Sequence, residues 1–321
     1  MTSFRSAHLK AYSYYGTGGV CGELYRPTSM DELVDAVKTS HRLGQPLIAL
    51  GGGTNSLVLD EPFAGAFVVF HGLDQIVVTG ERLRVGAGVD NTRLAEVALQ
   101  HGLDGVAWMN RLPGQIGGTV RMNARCYGGE ISQVVAEVTA VSRSGEVRTY
   151  RERSMFRGYK DTVFMTSGDL IASVELQLVA GDKAGVARKM QACADDRIAK
   201  GQFDYPSCGC VFKNDYGIGL PSGLLLEQAG AKALKHGGAE VSPLHANFVY
   251  NKGASSRAIL ELTLMMRDLV YREFGVWMAY EMEILGSLPP DLAERVAEVK
   301  EQRPDQVKIE ALKQKTSRFN G

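Results

Sequence analysis

The sequence predicts an α+β protein of more than one domain. Segments of helical period and segments of alternating period both recur along the chain. Their order does not alternate strand, helix, strand as cleanly as a doubly wound sheet requires. The 321 residues are enough for two or three domains. The glycines cluster at Gly51-Gly52-Gly53, at Gly114, Gly117 and Gly118, at Gly128-Gly129, at Gly217, Gly219 and Gly223, and at Gly237-Gly238. Clusters of this kind mark backbone that turns with positive φ or approaches a ligand closely.

Taken in order, residues 27–44 (PTSMDELVDAVKTSHRLG) read as a helix. Ser29 and Glu32 stand at capping-box spacing, and Leu33, Val37 and Leu43 fall near helical period. PLIAL (46–50) is a short apolar strand running into a glycine loop. FVVFH (67–71), QIVVTG (75–80) and RLRVGAGV (82–89) are further strands, and TRLAEVALQHG (92–102) is a helix ending at Gly102. Residues 134–150 form a hairpin turning at Ser144-Gly145, and 169–181 alternate as a long strand. Residues 184–200 form a helix bridging into a last unit. Residues 254–275 form a long amphipathic helix with Met265 and Met266 in the core, and 276–285 form a strand in which Trp277 is also core. After Gly286 the chain is charged and interrupted by proline, which predicts one short helix and a loosely held end.

Composition narrows the function. With 36 basic and 36 acidic side chains there is no basic excess to attract a nucleic acid or a membrane surface. No apolar run approaches the roughly 18 residues of a membrane span, and residues 1–19 lack the apolar core of a secretory signal, so the expected setting is cytoplasmic. The five cysteines are odd in number and widely spread, which argues against a disulfide framework. Cys208-Gly209-Cys210 is C-x-C, not the C-x2-C of zinc sites, and the nearest histidine is His236. Reduced thiols and no metal are expected.

In LGGGTNSLVLD (50–60), Gly51, Gly52 and Gly53 expose backbone N–H groups, while Thr54, Asn55 and Ser56 add short side-chain donors. Such a loop can cradle a pyrophosphate without a lysine, although a plain tight turn reads equally well. It is neither G-x-G-x-x-G nor a Walker loop. A second glycine-rich element, 111–132, favours the ligand reading. Pro113, Gly114, Gly117 and Gly118 would let backbone approach a flat ring system, and Asn123 could bond its edge. Two such loops suit a large diphosphate cofactor held between two subdomains.

GGGTNSLVLD, LPGQIGGTVRMNARCYGGEI, PSCGCVFKN and GGAEVSPLHANFVYN occur in that order. Together they resemble the UDP-N-acetylenolpyruvoylglucosamine reductases, flavoenzymes also called UDP-N-acetylmuramate dehydrogenases. The resemblance runs from Thr17-Gly18-Gly19 to about Gly286. It implies a FAD-binding fold of the vanillyl-alcohol-oxidase (PCMH) kind, with two α+β subdomains (1–72 and 73–183) and a C-terminal α+β substrate domain (184–286). A charged tail (287–321) follows. It also implies FAD as cofactor, NADPH as co-substrate and a UDP-sugar as acceptor, in a monomer of the peptidoglycan precursor route. The loops above would hold FAD, with Leu57 and Tyr127 joining them. Hydride addition to C3 of an enolpyruvyl ether leaves carbanion character at C2 beside a carboxylate. The protein must then stabilise that charge and supply a proton.

The family's proton donor is a serine or cysteine in G-[S/C]-x-F-K-N, which by position is Cys210. A thiol, with a pKa of about 8.5, gives up its proton more easily than a hydroxyl. Cys208 stands where the family has a small residue and reads as a buried filler. Lys213 and Asn214 follow the donor and would contact diphosphate or sugar; His245 resembles a substrate-domain position but reads equally as a structural histidine. The family's glutamate, spaced by E-x-x-x-x-G to Gly286, is Glu281, with Glu283 on the same face if the strand alternates. The family's arginine in Y-R-x-S is here Lys160, within Tyr159-Lys160-Asp161-Thr162. Lysine keeps the charge for a substrate carboxylate but loses the planar fork, and Arg157 is a possible substitute. Arg125-Cys126 replaces glycine and alanine beside the flavin loop. These departures leave open a diverged oxidoreductase acting on another nucleotide sugar. A non-catalytic binder is disfavoured because Cys210 and Glu281 are both kept.

Overall fold

The computed structural model describes residues 2–317, and the chain divides into two compact units. Unit one takes the chain up to His8, then Val20–Gly53 and Phe63–Ala199. Unit two takes Leu9–Gly19, Thr54–Pro62 and the chain from Lys200 on.

Unit one is built on two sheets. In the first, Thr2–His8 pairs antiparallel with Val20–Arg26, and Phe63–Val69 lies between Val20–Arg26 and Leu47–Leu50, parallel to both. The connection from Val20–Arg26 to Leu47–Leu50 runs through helix α1 (Met30–Arg42), which buries Leu33, Ala36 and Val37. Its start follows the capping expectation. The Ser29 hydroxyl accepts from the Glu32 N–H at 3.2 Å, while Glu32 Oε2 accepts from the Thr28 N–H at 2.8 Å. The second sheet is antiparallel throughout, in the order Val147–Tyr150, Val135–Val141, Leu170–Gln177, Arg82–Gly86, Ile76–Thr79. Its alternation is plain in Arg82–Gly86, where Leu83 and Val85 are buried and Arg82 and Arg84 are exposed. Helix α2 (Asn91–Gln100) starts where the Asp90 carboxylate accepts from the Thr92 and Arg93 N–H groups. The second glycine-rich element contains a short helix, α3 (Ile116–Arg121), where a loop alone was expected. A fourth, α4 (Val163–Ser167), follows the hairpin Phe156–Gly158/Asp161–Thr162, and α5 (Lys183–Ala199) closes the unit.

Unit two packs around a helix buried on most of its surface. It contains α6 (Ser222–Gln228) and α7 (Ser256–Phe274), whose Ile259, Leu260, Leu262, Leu264, Met266 and Val270 are buried. Met265 does not belong to that core: it is 39% exposed, one residue round the helix from fully buried Met266. Tyr15 is fully buried and Tyr14 is exposed. A three-stranded antiparallel sheet (Lys235–His236, Ala239–Val241, Val249–Asn251) lies before α7, and Ser56–Val58 pairs parallel with Glu283–Leu285.

Two expectations fail in this unit. Within 276–285 only Glu283–Leu285 is strand; residues 276–282 follow an irregular path, because their partners change along the way. The alternation that would set Glu281 and Glu283 on one face therefore does not apply. The tail holds two helices, α8 (Pro290–Ala297) and α9 (Gln306–Ser317), docked through buried Leu292 and Ile309. A loosely held end was also expected, and its last residues, 318–321, lie outside the described residues. Among the described residues no helix is long and apolar enough to cross a membrane.

Candidate active site

In unit two, Cys210 lies on a segment held by backbone on both sides. The Val211 N–H donates to Asn247 O at 2.9 Å and Cys210 bridges Phe248. On the other side the Lys213 N–H donates to Ala279 O at 2.9 Å and the Glu281 N–H to Val211 O at 2.8 Å. The Asn247 side chain completes the clamp, with Oδ1 accepting from the Phe212 N–H at 3.0 Å and Nδ2 donating to Phe212 O at 2.9 Å. This amide was not singled out from the sequence, although it lies inside the quoted SPLHANF stretch. Its partner is visible only in three dimensions.

The two neighbouring thiols have different surroundings. Gly209 between them has φ +72°, so ordinary strand alternation does not apply. Cys208 is 2% exposed and Cys210 is half-buried. Burial pushes the Cys208 thiol well up, against its contact with the Tyr15 hydroxyl, and the nearby Cys210 and Glu281 push the same way as burial. Cys208 thus stays a protonated thiol beside both groups. All five cysteines are free.

Asn55 reaches the same place from the first glycine loop. Its Nδ2 donates to Glu281 O at 3.0 Å, and its own carbonyl accepts from the Glu283 N–H at 2.9 Å. The backbone flanking Glu281 is therefore held from Asn55 as well as from Val211. Leu57 is fully buried among the apolar residues of the unit, so it offers a ligand backbone, not side chain. Lys213 and Asn214 brace the start of α6: Ser222 Oγ donates to Lys213 O, and the Ser222 N–H donates to Asn214 Oδ1 at 2.9 Å. His245 stacks on Phe248 with ring centroids 4.3 Å apart, and its Nδ1 accepts from the Asn247 N–H at 3.3 Å. Burial, then the charge of Lys200, lowers its pKa, so its neutral form is favoured.

In unit one the two glycine loops touch backbone to backbone. A Cβ on Gly52 would lie 3.0 Å from Gly114 Cα, tight enough that one of the two backbones would have to give. Gly117 serves packing: a Cβ there would meet Ala87 Cβ at 2.9 Å, whereas at Gly118 it would meet open space. Two buried acceptors at these loops have no hydrogen-bond partner among the described residues, Gln115 Oε1 and Asn123 Oδ1. Gln115 Oε1 lies 3.6 Å from where a Gly51 Cβ would stand. A buried orphan acceptor is costly unless a ligand supplies a donor. FAD offers ring and exocyclic N–H groups, and the glycine backbone suits its diphosphate, so these residues fit that cofactor.

Asn123, in left-handed backbone at φ +41°, links this loop to the Lys160 hairpin. Its Nδ2 donates to Glu130 Oε1 and to Gly158 O, both at 2.9 Å. Lys160 occupies the hairpin tip with φ +52°. Arg157 braces that hairpin from within, donating to Thr162 O at 2.6 Å and Thr166 Oγ1 at 2.7 Å. Those bonds engage Arg157, the alternative to Lys160 that its position in sequence allowed, with its own hairpin. Thr162, in the place of the family serine, donates from Oγ1 to Arg121 O at 2.6 Å. Arg125 stacks on the Tyr159 ring at 4.7 Å and lies 4.0 Å from Glu130. The Tyr127 hydroxyl donates to Asp196 at 2.6 Å, and Arg197 covers its ring.

Comparison with known proteins accords with this geometry. Residues 23–151 match the family model described as FAD binding domain, so this part of the chain is of the FAD-binding flavoprotein class. Residues 201–285 match the C-terminal domain of UDP-N-acetylenolpyruvoylglucosamine reductase, leaving 286–321 outside both matched spans. Proteins bearing that enzyme's name from Carboxydothermus hydrogenoformans and Leuconostoc mesenteroides are each 32% identical. Both alignments cover 87% of this chain, with 92% and 95% of those proteins. The crystal structure of the reductase from Thermus caldophilus aligns with a TM-score of 0.74 and 30% identity, over 88% of this chain and 98% of that one. The chain belongs to the UDP-N-acetylenolpyruvoylglucosamine reductase family.

Proposed function

We propose that this chain, with FAD bound, reduces the enolpyruvyl ether of UDP-N-acetylenolpyruvoylglucosamine to the lactyl ether of UDP-N-acetylmuramate, with NADPH as electron source. The observation that carries the reading is the run of backbone bonds joining the Cys210 segment to Glu281, within a span matching the reductase's own C-terminal domain. FAD, when bound and reduced by NADPH, would supply the hydride for C3. The Cys210 thiol then gives its proton to C2, and the thiolate regains one from solvent, so one NADPH and one proton are consumed per double bond. Glu281, its backbone tied to the donor's segment, is the acidic group that serves the charge developing beside C2. Lys160 supplies positive charge for the substrate carboxylate. Tyr159, Lys213, Asn214 and neutral His245 serve the nucleotide sugar.

The FAD-holding parts are read as 1–72 and 73–183, supported by a separate sheet in each; the sugar-binding part, expected over 184–286, is read from Lys200 on, because α5 packs into unit one and Leu9–Gly19 and Thr54–Pro62 into unit two. Five free thiols favour the cytoplasm, where such groups stay reduced.

The test separates the two half-reactions by anaerobic stopped flow. Cys210→Ala should be reduced by NADPH as fast as wild type, yet its re-oxidation by the enolpyruvyl sugar should slow by about 10²–10⁴-fold, the usual worth of a placed general acid. Equal rates in both steps would remove Cys210 from the mechanism. A wild-type flavin that the sugar fails to re-oxidise would point to a different acceptor.

A further inference from the structure

The C-terminal extension, outside both matched spans, does more than cover the core of unit two. Residues 298–302 grip one residue, Trp277, at three points. The Trp277 N–H donates to Gln302 Oε1 at 2.9 Å, Gln302 Nε2 donates back to Trp277 O at 2.8 Å, and Trp277 Nε1 donates to Glu298 O at 3.0 Å. Lys300 lies over the indole at 4.5 Å. The extension also replaces strand neighbours for the chain just before Trp277. The Arg303 N–H donates to Gly275 O and the Asp305 N–H to Phe274 O, both at 2.9 Å. Gly275 is required there: a Cβ would stand 1.8 Å from Arg303 O, and its φ is +67°.

From Trp277 the fixation passes to the reacting residues. Buried Arg267 of α7 donates to the carbonyls of Arg295 and Val296, and its guanidinium lies over both the Trp277 ring (4.2 Å) and the Tyr280 ring (5.0 Å). Tyr280 stacks on Phe212 with centroids 5.2 Å apart and bridges it. Tyr280 and Phe212 are neighbours in sequence of Glu281 and Val211, whose backbone bond ties the carboxylate's segment to the donor's. Residues 276–282 are not regular strand, so a sheet ladder does not hold this stretch. The extension holds its Trp277 end, while Lys213, Val211 and Asn55 hold the end that carries Glu281.

We propose that residues 298–302 of the C-terminal extension are a positioning strap: through Trp277 and Tyr280 they set the register between Glu281 and Cys210. The role rests on the assignment of those two residues given above. A strap of this kind acts on the limiting rate of protonation and leaves substrate affinity alone, because proton transfer tolerates misplacement far less than binding does.

The test uses the full-length holoenzyme with its flavin reduced by dithionite, mixed anaerobically with UDP-N-acetylenolpyruvoylglucosamine. Gln302 is exposed, so Gln302→Ala should fold, yet it loses both bonds to Trp277. Its limiting re-oxidation rate should fall about tenfold, while the half-saturating substrate concentration stays within about twofold. Gln302→Glu, which keeps an acceptor for the Trp277 N–H, should recover part of the rate. Arg257→Ala loosens α8 at its ion pair with Asp291 without touching Trp277, and should leave the rate within about twofold. A Gln302→Ala rate near wild type, or an equal loss in Arg257→Ala, would overturn the strap. Cys210→Ala in the same assay reports on the underlying assignment: re-oxidation at the wild-type rate there would mean there is no donor to position.

Discussion

Beyond its own strand pairing, the hairpin that carries Lys160 in unit one is braced by side chains, whereas the segment that carries Cys210 in unit two is braced mainly by backbone. Around Lys160 the bonds come from Asn123 to Gly158, from Arg157 to Thr162 and from Thr162 to Arg121. Around Cys210 they run between main-chain groups of 211, 213, 247, 279 and 281. The difference matches what each group has to do. A charge acts over several ångströms and falls off only as the inverse of distance, so a lysine on a hairpin tip can tolerate small shifts. A proton donor must come within hydrogen-bond reach of one carbon, so its segment gains from bonds that no rotamer change can break.

The comparison can be sharpened first at the charge. Lys160→Ala should slow re-oxidation by the enolpyruvyl sugar about a hundredfold, whereas Lys160→Arg should keep or improve it. Equal loss in both would mean that geometry, not charge, is what the hairpin supplies. Next comes the clamp beside Cys210. Asn247→Ala leaves the Phe212 N–H and carbonyl buried and unpaired, and should cost about 2 kcal/mol of stability by denaturant titration, with slowed re-oxidation. If stability fell but the rate stayed, the Asn247 side-chain clamp would be irrelevant to the donor. The smallest effect lies in the backbone of Lys160 itself. Its φ of +52° is unfavourable for a residue with a side chain, so Lys160→Gly should raise stability by about 1 kcal/mol while losing activity. Loss of stability instead would show that the lysine side chain helps hold the hairpin.

Much of the framework was readable in sequence because its signals are local. The Ser29 cap, the alternation of Arg82–Gly86 and the turn after Val141 each depend on residues within a few positions of one another. The glycine loops were readable too, and the contact between Gly52 and Gly114 supplies their reason. Trp277 and Met266 are core as expected. Met265 is not, because adjacent helical residues face different ways and composition alone cannot choose between them. The strand expected over 276–285 shortened to three residues because its partners are Gln302, Val211 and Ser56 in turn, none of them adjacent in sequence.

By itself the sequence determined the α+β class, the glycine loops, the free thiols and, through four motifs in order, the family. These rest on residue type and short spacing. Only the tertiary structure decided which neighbouring thiol is buried, what holds the Glu281 backbone, that Arg157 braces its own hairpin, and that the charged tail grips Trp277. Each of those depends on which distant groups meet across a packed core. Hydrogen bonds and burial are properties of that meeting, not of either residue alone.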